Sequence, residues 1–166
     1  LSLANTSPLA LGNMDFTVEV FAYPLSPLTG GTKSIIGMWS DVDSNGQSWI
    51  MYLYNGSLRV LGDIVSNDNV FFNVSNVITQ EKWYHIAWTR SASTMYLFLD
   101  GSQIATYNCG TSAFSVGTNT WGVGGFNSGS GSNYIFNGYL DDLRITRGIA
   151  RYTSSFTIPF IPFANQ

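Results

Sequence analysis

An antiparallel all-β fold is what this 166-residue sequence predicts, on three observations. The first is alternation with a period of two: in Phe16-Thr17-Val18-Glu19-Val20-Phe21-Ala22-Tyr23, the set Phe16, Val18, Val20 and Ala22 falls on one face of a strand and Thr17, Glu19, Phe21 and Tyr23 on the other. The second is a pair of hairpin turns, Asn55-Gly56 and Asp100-Gly101, each between two β-rich runs. Both dipeptides accept the positive φ that a two-residue turn demands. The third is the lack of any uninterrupted stretch of helical periodicity long enough to serve as a crossover, so there are no long helices to join parallel strands. A sandwich or barrel of locally connected strands remains.

The elements follow in order. After Phe16 to Tyr23, Pro24 stops the ladder. Further runs are expected at 34–39, 49–54, 58–61, 70–74, 83–90, 95–99, 103–107, 120–124 and 139–146, most of them β-branched or aromatic and bounded by Gly, Asn, Asp, Ser or Pro. In 83–88, Trp83, His85 and Ala87 share one face and Tyr84, Ile86 and Trp88 the other. A two-sheet core covers only one face of each strand, so a second bulky face calls for a partner or a groove. The run from Gly122 to Gly138 is rich in Gly and Ser and reads as a surface loop.

Composition narrows the function. Only 10% of residues are charged and 15% are aromatic, with a net charge of −3. The few cations are scattered, which excludes a phosphate-neutralising nucleic-acid surface. No apolar run approaches the roughly 20 residues of a spanning helix, so membrane insertion is not expected, and the start lacks signal-peptide features. The length suits one domain, residues 1–166, and the initial Leu1 suggests one module of a longer or multi-subunit assembly. Cys109 is alone and cannot form an internal disulfide.

Three segments resemble a known family: Asp15 to Phe21, then Trp83 to Arg90 with Leu97-Phe98-Leu99-Asp100-Gly101, and above all the closing run Asn137 to Tyr152 with its Asp141-Asp142, Arg144-Ile145-Thr146 and Ala150-Arg151-Tyr152. Together they look like the laminin-G-like, concanavalin A-type jelly roll, in the variant seen in tailed-phage structural proteins and bacterial surface proteins. The resemblance implies a two-sheet antiparallel jelly-roll sandwich with a non-catalytic adhesion or sugar-binding role. It fixes no ligand, because lectins, protein-binding modules, glycosidases and spacers share the superfamily, so function must be sought in the site.

Catalysis finds little support. A glycosidase needs two carboxylates on one face of a groove, yet the only glutamates are Glu19 and Glu81, and the Glu-x-Asp-x-x-Glu strand of the superfamily's glucanases is missing. Asp141 and Asp142 are adjacent, so regular strand alternation would point them to opposite faces. His85, inside an aromatic strand, reads as a packed structural histidine, and Cys109 as an unactivated thiol. The chain is expected not to be an enzyme.

Asp41-Val42-Asp43-Ser44-Asn45-Gly46 places oxygen ligands at alternate positions before a Gly, as a Ca²⁺ loop does, but Tyr52 stands where a bidentate Glu would close it. The segment reads either as an Asp/Asn/Gly turn or as half of a calcium site. Relatives that bind Ca²⁺ through loop carboxylates support the second; Asp41, Asp43 and Asn45 would then be ligands, with Asp141 at a separate place. Sugar binding requires flat aromatic faces beside hydroxyl-fixing polar groups. The candidates are Trp49, Tyr52 and Tyr54 on one hairpin strand, and Trp121, Phe126 and Asn127 entering the Gly/Ser loop; Tyr52 and Tyr54 share strand parity. The expected role is adhesion to a host-surface or environmental glycan or a cell-surface receptor, on a phage virion or at an extracellular or bacterial surface. Repetition of the module, including as a homo-oligomer, would add avidity. The rival is a structural or decoration domain whose aromatic face meets other virion or surface-protein subunits.

Overall fold

A computed structural model describes residues 1–3, 9–25, 28–40, 47–64, 68–126 and 134–158. These residues form eleven strands: β1 (Ser2–Leu3), β2 (Phe16–Pro24), β3 (Thr32–Gly37), β4 (Trp49–Tyr54), β5 (Ser57–Asp63), β6 (Asp68–Val74), β7 (Tyr84–Ser91), β8 (Thr94–Leu99), β9 (Ser102–Asn108), β10 (Trp121–Val123) and β11 (Gly138–Arg147). They pair into a six-stranded sheet, β1-β10-β3-β4-β5-β6, and a five-stranded sheet, β11-β2-β7-β8-β9, antiparallel throughout. The described residues contain no α-helix, and of the sandwich or barrel that the alternation pattern left open, the two-sheet sandwich that the family resemblance implies is the fold observed.

Both hairpin turns form as their dipeptides demand. Asn55 and Gly56 take φ of 49° and 76°, Asp100 and Gly101 of 49° and 77°. Positive φ at both central residues gives the turn whose twist matches its strands. The first turn sets the register of β4 on β5, with Tyr54 opposite Ser57 and Tyr52 opposite Arg59. Strand β1 escapes the sequence reading because two residues are too few to show a period; it docks on the edge of β10.

The core lies between the sheets and is built on rings. Trp88 of β7 packs edge-on against Phe16 at 4.6 Å, Trp49 at 5.4 Å and Phe114 at 5.6 Å, and Trp49 meets Trp121 at 4.9 Å. Edge-to-face geometry sets the electropositive rim of one ring on the electronegative face of the next. Val18, Val20, Met51, Leu53, Val60, Ile86 and Leu97 fill the remaining space. Gly62 exists to let two rings in, since a Cβ there would stand 2.1 Å from Phe71 and 2.6 Å from Phe114.

The strand β11 departs from the simple alternation expected of it. A bulge lies between Asp141 and Arg144, with Asp142 at φ 47° and its N–H donating to Asp141 Oδ1 at 2.9 Å. The extra residue re-aims Arg144 onto the outer face opposite Glu19. The two aspartates are therefore turn-formers in a bulge rather than side chains on opposite faces of a regular strand.

Candidate functional site

Each sheet has an outer face bearing rings, and the two are filled differently. On the five-stranded sheet, Glu19 of β2 is fully buried. Arg144 donates to its Oε1 from Nε at 2.9 Å and Nη2 at 2.6 Å, while the Tyr152 hydroxyl donates to Oε2 at 2.9 Å and His85 Nε2 lies 3.3 Å from the same oxygen. Burial alone would raise the carboxyl's pKa, but hydrogen bonds from His85, Arg144 and Tyr152 and the charge of Arg144 outweigh it and hold it below the ordinary 4.5. Burial and the neighbouring Glu19 carboxylate push the Tyr152 phenol up to about 12.

The chain after β11 lies over this hub. Arg151 N–H donates to Thr17 Oγ1 at 2.9 Å, Phe156 N–H to the Gly101 carbonyl at 2.8 Å, and the Tyr152 and Phe156 rings stack at 3.6 Å. Phe156 also covers His85 and Phe98, at 5.7 and 5.3 Å. The second bulky face expected on 83–90 thus finds its partner in this chain's own C-terminal segment. The most specific part of the sequence motif, Arg144 to Tyr152, is a clamp on that segment.

Among the described residues, the outer face of the six-stranded sheet has no such ion network. Trp39, Ile50 and Tyr52 form a separate buried cluster there, flanked by Tyr54, Leu61 and Phe126. Thr32, Trp39, Ile50, Tyr52, Leu61 and Tyr134 line a cavity of about 180 Å³. Its rim on the β3 side is built by backbone: Tyr134 N–H donates to the Phe126 carbonyl at 3.1 Å, Ser34 N–H donates to the Tyr134 carbonyl at 3.2 Å, and the Phe126 and Tyr134 rings meet edge-on at 5.5 Å. Next to the cavity, Arg59 stands opposite Tyr52 in register, its guanidinium 4.5 Å over the Tyr54 ring and its Nε donating to Asn73 Oδ1 at 2.9 Å. Ser34, opposite Tyr52 on the other side, is fully buried and its Oγ has no hydrogen-bond partner among the described residues. A buried hydroxyl without a partner carries a desolvation cost; Ser34 does not line the cavity, whose polar lining side chain on β3 is Thr32.

The residues expected from sequence divide accordingly. Tyr52, Tyr54 and Phe126 come together on this face. Trp49 and Trp121 do not: at 0% and 1% exposure they are core rings, because Trp49 has the opposite parity to Tyr52 on β4 and Trp121 leads β10 into the same interior. Asn127, and with it Asp41, Asp43 and Asn45, lies outside the described residues. Asp141 sits in its bulge on the other sheet, and the described residues contain no group of three His, Cys, Asp or Glu side chains suited to a metal. Sequence reasoning passed over Trp39, Ile50, Arg59, Leu61 and Tyr134. The parity of Tyr52 identifies Ile50, and the two-residue turn at Asn55-Gly56 places Arg59 opposite Tyr52. Tyr134 arrives by a loop return that no local signal foretells.

Comparison with known proteins agrees with this architecture. The laminin G-type model of the concanavalin A-like lectin/glucanases superfamily matches residues 2–149. Among solved structures, the CBM40 of the Ruminococcus gnavus IT-sialidase, bound to α2,3 sialyllactose, superposes with a TM-score of 0.67 at 15% identity, over 86% of this chain and 79% of that one. Domain 4 of a GH43 extracellular arabinanase from Geobacillus stearothermophilus, in complex with arabinotriose, gives 0.62 at 18% identity, over 90% and 66%. A Bacteroides ovatus protein provisionally assigned to carbohydrate binding gives 0.67 at 16% identity; this chain is 91% covered but spans only 42% of that protein. At such identities the likeness establishes the fold. No curated protein matches the sequence.

Proposed function

We propose that this chain, which belongs to the concanavalin A-like lectin/glucanases superfamily, is a non-catalytic carbohydrate-binding module that holds its glycan against the outer face of the six-stranded sheet. The observation that carries the reading is the groove itself: the aromatic side chains of Trp39, Tyr52 and Tyr134 line a cavity of about 180 Å³ together with the hydroxyl-bearing Thr32. Rings supply flat apolar contact to a sugar's C–H face, and fixed polar groups orient its hydroxyls. Structural neighbours with carbohydrate-binding titles support the same class of ligand.

Hydrolysis does not suit the site. The described lining residues carry no carboxylate, while glycoside cleavage needs two. Glu19, one of only two glutamates in the chain, is buried in the clamp of the opposite sheet. The module acts by adhesion outside the cell, on a virion or a bacterial surface, where repeated copies turn weak sugar contacts into avidity.

A glycan array probed with the purified domain, with and without EDTA, tests this reading. Retention of a defined sugar class supports it, and uniform silence contradicts it. Loss of binding in the chelator arm, restored by added Ca²⁺, would support a bound Ca²⁺ ion, for which Asp41, Asp43 and Asn45 are the sequence candidates.

A second reading rests on a different observation. At one corner of the five-stranded sheet, Tyr23 packs between Trp83 at 5.4 Å and Tyr139 at 5.9 Å, and the outer two rings are 45% and 59% exposed. Exposed adjacent rings suit contact with a neighbouring subunit. Light scattering that shows self-association abolished by Trp83→Ala would favour this structural role.

A further inference from the structure

The groove has a cation beside it, and that cation is oriented but incompletely engaged. Arg59 of β5 lies on the same face as Leu61, two residues on, and directly opposite Tyr52; both of those line the cavity. Two contacts hold the guanidinium. Nε donates to Asn73 Oδ1 at 2.9 Å, and the plane rests 4.5 Å over the Tyr54 ring. Neither contact uses the terminal nitrogens, and among the described residues no other hydrogen bond or ion pair engages Arg59. The contrast with Arg90 and Arg144 is direct. Arg90 uses Nε, Nη1 and Nη2 on the carbonyls of Ala92, Ser112 and Gly110, and Arg144 places Nε and Nη2 on Glu19.

An arginine fixed through Nε and one ring face, with its Nη pair open, presents the planar fork that matches a carboxylate. Its conformational entropy is already reduced, so less is lost when an anion docks. We propose that the glycan taken by this face is acidic: a sugar whose carboxylate is gripped by Nη1 and Nη2 of Arg59 while its ring lies against Tyr52 and the groove. This rests on the carbohydrate reading above and narrows its ligand class to sialic or uronic acids.

The cleanest test changes the ligand and leaves the protein intact. Calorimetric titration of the whole chain with trigalacturonic acid and with sialyllactose is compared with the same oligosaccharides after reduction of each carboxyl to a primary alcohol. Loss of a charge-assisted pair predicts at least about tenfold weaker binding for the reduced form of whichever acid binds. Added salt should weaken the acid and leave the reduced sugar unchanged. Arg59→Gln should bring acid and reduced sugar to the same affinity, and Arg59→Lys should restore part of the difference as a point charge. Equal affinity of acid and reduced forms for the native chain overturns the proposal. So does an acid preference that survives Arg59→Gln, or a groove that retains sulfated sugars but neither carboxylate. Binding of neutral sugars lost on Tyr52→Ala, without an acid preference, would overturn only the acidic class and leave carbohydrate binding standing; silence toward every sugar would overturn both.

Discussion

The outer faces of the two sheets are made from similar ingredients, rings interleaved with polar groups, and they end in opposite states. On β11-β2-β7-β8-β9 the chain's own C-terminal segment covers the rings, and the buried Glu19 carboxylate accepts hydrogen bonds from Arg144, Tyr152 and His85. On β10-β3-β4-β5-β6 the rings flank a cavity, and among the described residues Ser34 Oγ has no partner and nothing engages the terminal nitrogens of Arg59. Aromatic enrichment by itself therefore does not mark a contact surface in a sandwich of this kind. What separates the two faces is cover: the segment carrying Tyr152 and Phe156 lies over the rings of one, and the rings of the other line a cavity.

The comparison can be broken hardest at Glu19. Removing one partner of a buried ion network leaves the others uncompensated, so Glu19→Ala should cost about 3–5 kcal/mol in urea-unfolding stability. Affinity for sugar measured on the folded fraction should stay unchanged, since the groove lies on the opposite sheet. Tyr52→Ala should do the reverse in emphasis: at least about tenfold weaker glycan binding by titration, from loss of a central aromatic anchor.

The clamp also predicts a pH signature. Because the folded-state pKa of Glu19 lies below its ordinary value, its stabilisation is present above about 4.5 and is lost as pH falls through the lowered value. Tyr152 has the opposite sign. Its folded pKa is raised from 10.0 to about 12, so its stabilisation is complete below pH 10 and is lost as pH rises toward 12. Melting temperature followed across both windows should fall at each end, and Tyr152→Phe should remove the alkaline step while costing about 1 kcal/mol at neutral pH. The smallest effect is expected at Trp83, which is 45% exposed. Trp83→Ala should leave stability within about 0.5 kcal/mol and glycan affinity unaltered.

Much of this was legible in the sequence, and the losses have identifiable causes. Alternation in Phe16 to Tyr23 and the paired turn dipeptides located the strands because period and turn chemistry are local properties. Membership of the aromatic cluster was only half legible. Tyr52 and Tyr54 reach the outer face by parity, and the same parity sends Trp49 inward to Trp88 and Trp121, a distinction that strand spacing carries and residue type does not. The clamp was invisible as such: Glu19 and Tyr152 are 133 residues apart, and nothing local in either segment announces that they meet. Nor did the sequence show Tyr134 returning beside Ser34, since a loop's path depends on what it packs against.

The most direct test of a glycan-binding face on the six-stranded sheet is an amide chemical-shift map of the isotopically labelled chain, titrated with an oligosaccharide retained on the array. Saturable shifts concentrated at Thr32, Ser34, Ile50, Tyr52, Arg59, Leu61 and Tyr134, with β2, β7 and β11 quiet, are the predicted result. Shifts gathered instead around Tyr23, Trp83 and Tyr139 would contradict it.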